Sequence, residues 1–205
     1  MKSVLLKRDF RVGVWSAVLA AAVLGVGCST KHEVVVPAPN AFLASPPESA
    51  ESSDQGVRVV VETNAWDRNP RDLSENVVVL KVTIQNDSSH PLAVRYSNFY
   101  LAAANEQRYT DIPPYSIAGR TYEHLQPEWA YSNANYFSVP LPTEQMIEKG
   151  VSEGTIAEGG TTTGFLYFQK PAPKSQAISF KAVLVDARTE ESFGRVEVPL
   201  VVKTI

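Results

Sequence analysis

Apolar and polar residues alternate with a period of two along most of the chain after Gly56. In the clearest stretch, the even positions from 78 to 84 are Val, Leu, Val and Ile, whereas the odd positions from 79 to 85 are Val, Lys, Thr and Gln. Because successive side chains of a strand point to opposite faces, this pattern predicts a strand with one core face and one wetter face. The same period predicts further strands at 57–61, 92–96, 98–101, 161–169, 178–184 and 196–202.

Turn-forming residues separate these strands. The run Asn-Asp-Ser-Ser-His-Pro at 86–91 and the run Glu-Gly-Gly at 158–160 are typical turn sequences. Pro171 and Pro173 end the strand predicted at 161–169, because proline has no N–H to donate to a ladder. Seven or eight short strands with almost no helical periodicity predict an all-β fold, an antiparallel β-sandwich.

Two sequence runs resemble bacterial immunoglobulin-like domains of unknown function that are often found on lipoproteins. Residues 77–100, VVVLKVTIQNDSSHPLAVRYSNFY, resemble the opening hairpin of those domains, in which a "vkvtvxN" strand, a polar turn and a "Fxl" strand follow one another. Residues 156–171, IAEGGTTTGFLYFQKP, resemble their "pGxxxxGxlyFxxP" strand. The resemblance implies an immunoglobulin-like sandwich and an envelope setting, and it carries over no catalytic or binding residue.

The amino-terminal segment ends in Cys28, which is the only cysteine of the chain. Four basic residues precede an apolar run at 12–27, and at 1.5 Å per residue this run reaches ~24 Å, less than the ~30 Å of a bilayer core. The layout resembles a bacterial lipoprotein signal peptide, although Gly25 stands where leucine is usual. The resemblance implies cleavage after residue 27 and diacylation of Cys28. The alternative is a short uncleaved signal anchor in which Cys28 is an ordinary buried thiol.

Ser29 follows the cysteine, at the position where aspartate usually retains a lipoprotein in the inner membrane. The resemblance therefore implies the outer membrane, with the protein facing the periplasm. In a host with a single membrane it implies a cell-surface lipoprotein.

Three parts of the chain follow from these patterns: a signal peptide at 1–27, a tether at 28–56 and a sandwich domain at 57–205. The tether is rich in Pro, Ser and Glu and shows little periodic apolar patterning, so it is expected to be a disordered spacer. Its exception is the triplet at 34–36, three valines that could add a short edge strand.

The charge balance excludes one class of partner. Removing residues 1–27 takes away 4 of 19 basic and 1 of 22 acidic residues, which leaves 15 against 21 and a formal charge of −6. An acidic chain without clustered Lys and Arg argues against nucleic-acid binding and against a polybasic contact with anionic lipid. The expected partners are the membrane, reached through the lipid, and an envelope protein.

A segment at 110–142 interrupts the strand series. It is long for a loop and rich in aromatic residues with polar tips, which binding surfaces use. Its candidate contacts are Tyr115, Tyr122, Trp129, Tyr131 and Tyr136. The alternative is a lid whose rings are buried over one end of the sandwich. After it, residues 143–149 are expected to form a short helix with Thr143 as N-cap.

Patterns that carry chemistry are scarce. His32, His90 and His124 have no partner at metal-ligand spacing, and Glu123 beside His124 would point to the opposite face of a strand. No nucleophile elbow, phosphate loop or dinucleotide fingerprint occurs in the sequence. We therefore expect no metal, no cofactor and no catalytic residue.

Two functional classes stay open. The first is a lipid-anchored, non-enzymatic binding or assembly module of the cell envelope. The second is a small hydrolase or ligand-binding protein with its site under the 110–142 segment. A concave pocket with converging polar groups at that segment would favour the second class.

Overall fold

The alternating strands form two five-stranded antiparallel sheets in a computed structural model that describes residues 33–68, 71, 73–114, 144–171 and 177–205. The strands are β1 Glu33–Pro37, β2 Phe42–Ala44, β3 Ser49–Asp54, β4 Val57–Glu62, β5 Val77–Asn86, β6 Leu92–Val94, β7 Phe99–Ala103, β8 Arg108–Thr110, β9 Gly154–Ile156, β10 Thr161–Gln169, β11 Ala177–Val185 and β12 Ser192–Thr204. The helices are α1 Leu73–Asn76 and α2 Glu144–Lys149, with one 3-10 turn at Tyr96–Asn98. The predicted all-β class is confirmed.

Sheet A has the order β1-β12-β11-β7-β8, and sheet B has the order β10-β5-β4-β3-β2. The neighbours β4, β5 and β10 match strands A, B and E of an immunoglobulin-type sandwich, and β7, β11 and β12 match strands C, F and G. A separate two-stranded sheet pairs β6 with β9. The fold is therefore an antiparallel immunoglobulin-like sandwich with added short strands.

The main core lies between the two sheets and consists of the inward positions that the alternation predicted. Leu80 of sheet B and Phe180 of sheet A have no exposed surface. Phe180 meets Phe168 edge to face and Phe99 in a stacked arrangement, each at a centroid distance of 6.1 Å. Because these rings come from both sheets, the core holds the sandwich together.

A second core covers part of the outer face of sheet B, which the sequence did not predict. Val79 was assigned to the wetter face, yet it is only 8% exposed and packs with Phe165 and Tyr167. Trp66 lies edge to face on both rings, at centroid distances of 5.1 and 5.9 Å. Leu73 of α1, in a segment without strand pattern, completes the layer that covers this part of sheet B. This second layer explains why residues 77–80 and 165–168 are apolar at every position.

The predicted disordered tether is wrong for residues 33–56, because they form β1, β2 and β3 and the turn into β4. The β1 strand confirms the edge strand considered at 34–36, since it pairs with the carboxyl-terminal half of β12. Ser49 and Ala50 are buried at 1% and 0% exposure, so β3 is part of the sandwich. Short strands of small and polar residues are stabilised by neighbouring backbone, and alternation cannot reveal them. The same reason explains why the described residues form twelve strands in place of the predicted seven or eight.

The outer edge of β10 is covered by backbone from two other segments. The Val151 N–H donates to the carbonyl of Phe165 at 3.0 Å, and the Ile112 N–H donates to the carbonyl of Tyr167 at 2.6 Å. A Cβ atom on Gly164 would lie 2.7 Å from the Cα of Val151, so only glycine allows this close approach. A sheet edge that would otherwise be open is thereby closed.

Candidate functional site

The residues predicted as partner contacts, Tyr115, Tyr122, Trp129, Tyr131 and Tyr136, lie outside the described residues, as does Cys28. The described parts around that segment show Thr110 at the end of β8 and α2 at Glu144–Lys149. The predicted short helix is confirmed for these six residues, and its proposed N-cap Thr143 is not described. The predictions on the aromatic residues therefore stay predictions.

The described residues assemble a different candidate surface on the outer face of sheet A. The antiparallel register aligns Arg108, Ala102, Ser179 and Pro199 in one row across four strands. A second row aligns Thr110, Tyr100, Lys181 and Glu197. The inward neighbours of these positions belong to the main core, so strand alternation directs both rows outward.

Arg108 lies over Tyr100 in this surface. Its guanidinium carbon is 4.7 Å from the ring centroid of Tyr100, a cation–π arrangement. Tyr100 points outward yet is only 7% exposed, in keeping with this covering contact. The contact places the guanidinium over the ring while Arg108 remains exposed to solvent.

Lys181 and Glu197 form the second polar contact of the surface. The Lys181 Nζ lies 3.2 Å from the Glu197 Oε2 across β11 and β12. Burial alone would raise the pKa of Glu197, but hydrogen bonds from Ser179 and Lys181, together with the positive charges of Lys181 and Arg195, lower it below its ordinary value. Glu197 is therefore ionised at neutral pH and orients the ammonium group of Lys181.

These side chains border an open concavity of about 650 Å³. Its floor is made of small side chains, among them Ala102, Ala177 and Ser179, and the turn at Ala38, Pro39 and Asn40 contributes one rim. The volume lies within the ~300–1,000 Å³ range of small-molecule sites. Long polar side chains around a floor of small residues leave room for a ligand or for a side chain of a partner.

The net charge of the residues that line the concavity is opposite in sign to the net charge of the chain. Arg108, Lys181 and Arg195 stand against Glu106 and Glu197, so the lining carries one excess positive charge. The chain after residue 27 has a formal charge of −6. The arrangement suits recognition of a carboxylate or another anion, because Arg108 can donate two parallel N–H groups.

A polar network ties together the turns at one end of the sandwich, and it contains the single described histidine. The His90 Nδ1 lies 2.8 Å from the Asp186 Oδ2, and the His90 ring stacks on Phe193 at 5.1 Å. The backbone N–H of Arg188 and the His90 side chain lower the pKa of Asp186. The Ser88 hydroxyl contacts the Asn86 side chain at 2.6 Å and the His90 carbonyl at 3.0 Å, so it belongs to the turn. This network connects two turns and carries no arrangement of nucleophile and base.

Asp111 is a buried acid at the covered edge of β10. Its Oδ1 accepts the Tyr167 N–H at 3.1 Å, whereas its Oδ2 is enclosed and has no hydrogen-bond partner in the part of the chain that the structure describes. Burial raises the pKa of Asp111 to about 8, against the lowering effect of the backbone N–H groups of Tyr167 and Ile112. We assign it no role in binding, since it does not belong to the lining of the sheet A concavity.

Sequence reasoning missed both the sheet A surface and the His90–Asp186 pair. Alternation in β11 indicated that Ser179 and Lys181 point away from the core, but the partner strands of β11 were not predictable from it. His90 and Asp186 lie 96 positions apart, so no spacing rule connects them. Within the described residues no group of three or more His, Cys, Asp or Glu could hold a metal ion. No helix among the same residues is long and apolar enough to cross a membrane.

No protein-family model matches the sequence, and no curated protein matches it. Two solved structures resemble it in fold. One is ycdA of Bacillus subtilis, a candidate lipoprotein, with 15% identity and a TM-score of 0.38; the match covers 76% of this chain and 38% of that chain. The other is MPT63, a secreted protein of Mycobacterium tuberculosis, with 13% identity and a TM-score of 0.30; it covers 76% of this chain and 96% of that chain. Identities and scores this low assign no function.

Proposed function

We propose that the chain is a lipid-anchored, non-enzymatic protein of the bacterial cell envelope whose sandwich binds an envelope partner through the outer face of sheet A. The anchor is the acylated Cys28, and the location is the periplasmic face of the outer membrane, or the cell surface in a host with one membrane. The basic segment, the short apolar run and the single cysteine support the anchor.

The observation that carries the binding role is the concavity that Arg108 and Lys181 border. Both cations are held in place, Arg108 by the ring of Tyr100 and Lys181 by Glu197, so little side-chain freedom is lost when a ligand binds. An anionic group entering the concavity would meet two preoriented donors above a floor of small side chains. We infer a partner that presents a carboxylate or another anionic group.

Site-specific photo-crosslinking in native envelopes tests this role. A photoreactive residue at Ala102, in the floor of the concavity, should give a discrete adduct, whereas the same residue at Thr83, on the outer face of sheet B, should not. The double variant Arg108→Ala/Lys181→Ala should reduce the adduct about tenfold, the factor that corresponds to ~1.4 kcal/mol. It should lower the free energy of unfolding by no more than about 2 kcal/mol, because a surface cation–π contact and a surface ion pair contribute about 1 kcal/mol or less each. Equal adducts at both positions, or an adduct that survives the double variant, would contradict the proposed surface.

The anchor is tested separately by intact-mass measurement of protein extracted from membranes. We expect a mature chain that begins at Cys28 and carries acyl groups, and we expect Cys28→Ala to leave the precursor unprocessed. A mature terminus at another residue would show that the anchor is wrong while leaving the sheet A surface untouched.

A further inference from the structure

One side of the sandwich carries a stretch of chain without charged residues, although Glu51 lies opposite Phe42 and Lys203 opposite Val34 in the neighbouring strands. β1 is the edge strand of sheet A and β2 is the edge strand of sheet B, and β1 and β12 both pack against β3. The two edge strands therefore lie along the same side of the molecule, which we name the β1–β2 edge, residues 34–47. No charged residue occurs in this range, between Glu33 and Glu48.

The β1–β2 edge also exposes two large apolar side chains. Phe42 is 79% exposed and Leu43 is 74% exposed, and both belong to β2. Sheet edges in soluble proteins are usually protected by charge, by a bulge or by a covering segment. Here β2 pairs with β3 on one side only, and most of the surface of Phe42 and Leu43 stays exposed.

The position of Cys28 brings this edge close to the lipid. Only the four residues at 29–32 separate Cys28 from the start of β1. An extended chain spans at most ~3.6 Å per residue, so Glu33 lies within about 18 Å of the acylated cysteine. A disordered spacer reaching to residue 56 would have allowed a distance of about 100 Å between Cys28 and the first strand of the sandwich. If Cys28 is acylated as proposed, the start of β1 stays within about 18 Å of the lipid.

We propose that the β1–β2 edge rests on the lipid bilayer, with Phe42 and Leu43 inserted among the headgroups and upper acyl chains. The proposal rests on the lipid anchor of the proposed function. The lack of charge at 34–47 matters because the chain has a formal charge of −6, and an acidic surface would be repelled by anionic lipids. Two apolar side chains bind too weakly to hold a protein by themselves, but they suffice to orient one that a lipid already holds.

Hydrogen exchange on vesicles tests the proposal without depending on acylation by the cell. The chain from Cys28 onward contains one cysteine, so its thiol can be coupled to a maleimide-bearing lipid in vesicles of phosphatidylethanolamine and phosphatidylglycerol. Amide exchange in peptides covering 38–47 should slow about tenfold on the vesicles relative to the uncoupled protein, the factor that corresponds to ~1.4 kcal/mol. Peptides covering 104–110, at the opposite edge of sheet A, should exchange at the same rate in both states.

The matched control is Phe42→Ser/Leu43→Ser, coupled to the same vesicles, which should lose the protection at 38–47 while the rest of the exchange pattern is kept. Unchanged exchange of the native chain at 38–47 on vesicles would overturn the proposal. Protection that appears without vesicles and grows with protein concentration would overturn it too, because a second copy would then cover the edge. Since the coupling is chemical, failure here is distinct from failure of the anchor, which the intact mass decides.

Discussion

Replacing Asp111 by a residue that does not titrate should make the free energy of unfolding depend less on pH. The pKa of this acid is raised from 3.8 to about 8 because burial penalises the charged form. Between these values the folded state holds a proton that the unfolded state has lost, so the free energy of unfolding falls as the pH rises. At ~1.36 kcal/mol per pKa unit, the full displacement corresponds to roughly 5–6 kcal/mol. Solvent reaches part of the residue and screens this penalty, so we expect a loss of about 2–3 kcal/mol between pH 5 and pH 8.

Asp111→Asn keeps the oxygen that accepts the Tyr167 N–H at 3.1 Å and removes the titrating group. Its amide nitrogen takes the enclosed place of Oδ2, where an unsatisfied donor costs about 1–3 kcal/mol. Relative to the parent, the variant should therefore gain about 2–3 kcal/mol of stability between pH 5 and pH 8, because over this range only the parent loses stability through the titration of Asp111. Urea unfolding followed by tryptophan fluorescence at pH 5, 6.5 and 8 measures the difference.

The matched control is Asp87→Asn, which removes an exposed carboxylate from the turn after β5. Every other titratable group is common to the three proteins, so only the difference in pH dependence matters. If Asp111→Asn shows the same fall in stability from pH 5 to pH 8 as the parent, the carboxyl is not the buried acid that we describe. A variant that is much less stable at every pH would mean that the hydrogen bonds of Asp111 outweigh its charge.

Two further predictions test the core and the aromatic segment. Leu80→Ala and Phe180→Ala should each lower the free energy of unfolding by ~2–5 kcal/mol in chemical denaturation, whereas Lys81→Ala should change it by no more than about 0.5 kcal/mol. Reversed sensitivities would mean that the register is shifted by one residue. If the 110–142 segment also contacts a partner, the double variant Trp129→Ala/Tyr131→Ala should keep the melting temperature and lose a crosslink formed from within that segment. A loss of several kcal/mol of stability would identify these rings as core instead.

The strands of the main core were predictable because their signal is local. Val59, Leu80 and Phe180 occupy alternate positions in stretches that one period describes, and each is buried without exposed surface. The sequence indicated the second core only in part. Phe165 and Tyr167 show that β10 is apolar on both faces, but the sequence does not show which residues cover its outer face. Trp66 reaches these rings from a loop, and no periodicity marks a loop residue that packs on a sheet.

The extent of the domain was not predictable from composition. Proline, serine and glutamate at 46–54 are typical of a spacer, yet Ser49 and Ala50 are buried because β3 pairs with β4 along its full length. The Asp54 carboxylate also accepts the backbone N–H of Arg195 at 2.8 Å, a contact between residues 141 positions apart. Whether a strand such as β3 forms depends on the strand beside it and not on its own side chains, so its formation leaves no pattern in the sequence.

Only four residues separate Cys28 from β1, and this short connection limits which partners can reach the concavity on sheet A. The rim at Ala38 and Asn40 belongs to the β1–β2 edge, and Arg108 on β8 borders the concavity four strand spacings away. At ~4.8 Å per spacing, the surface extends about 19 Å from that edge. If the β1–β2 edge rests on the bilayer as proposed, the strands of sheet A follow one another away from the membrane, and its outer face stands roughly perpendicular to the membrane plane. A partner that crosslinks at Ala102 should then itself be membrane-bound or lie within about 20 Å of the lipid. A partner extending far from the membrane would need a free spacer, which the pairing of β1 with β12 denies to this chain.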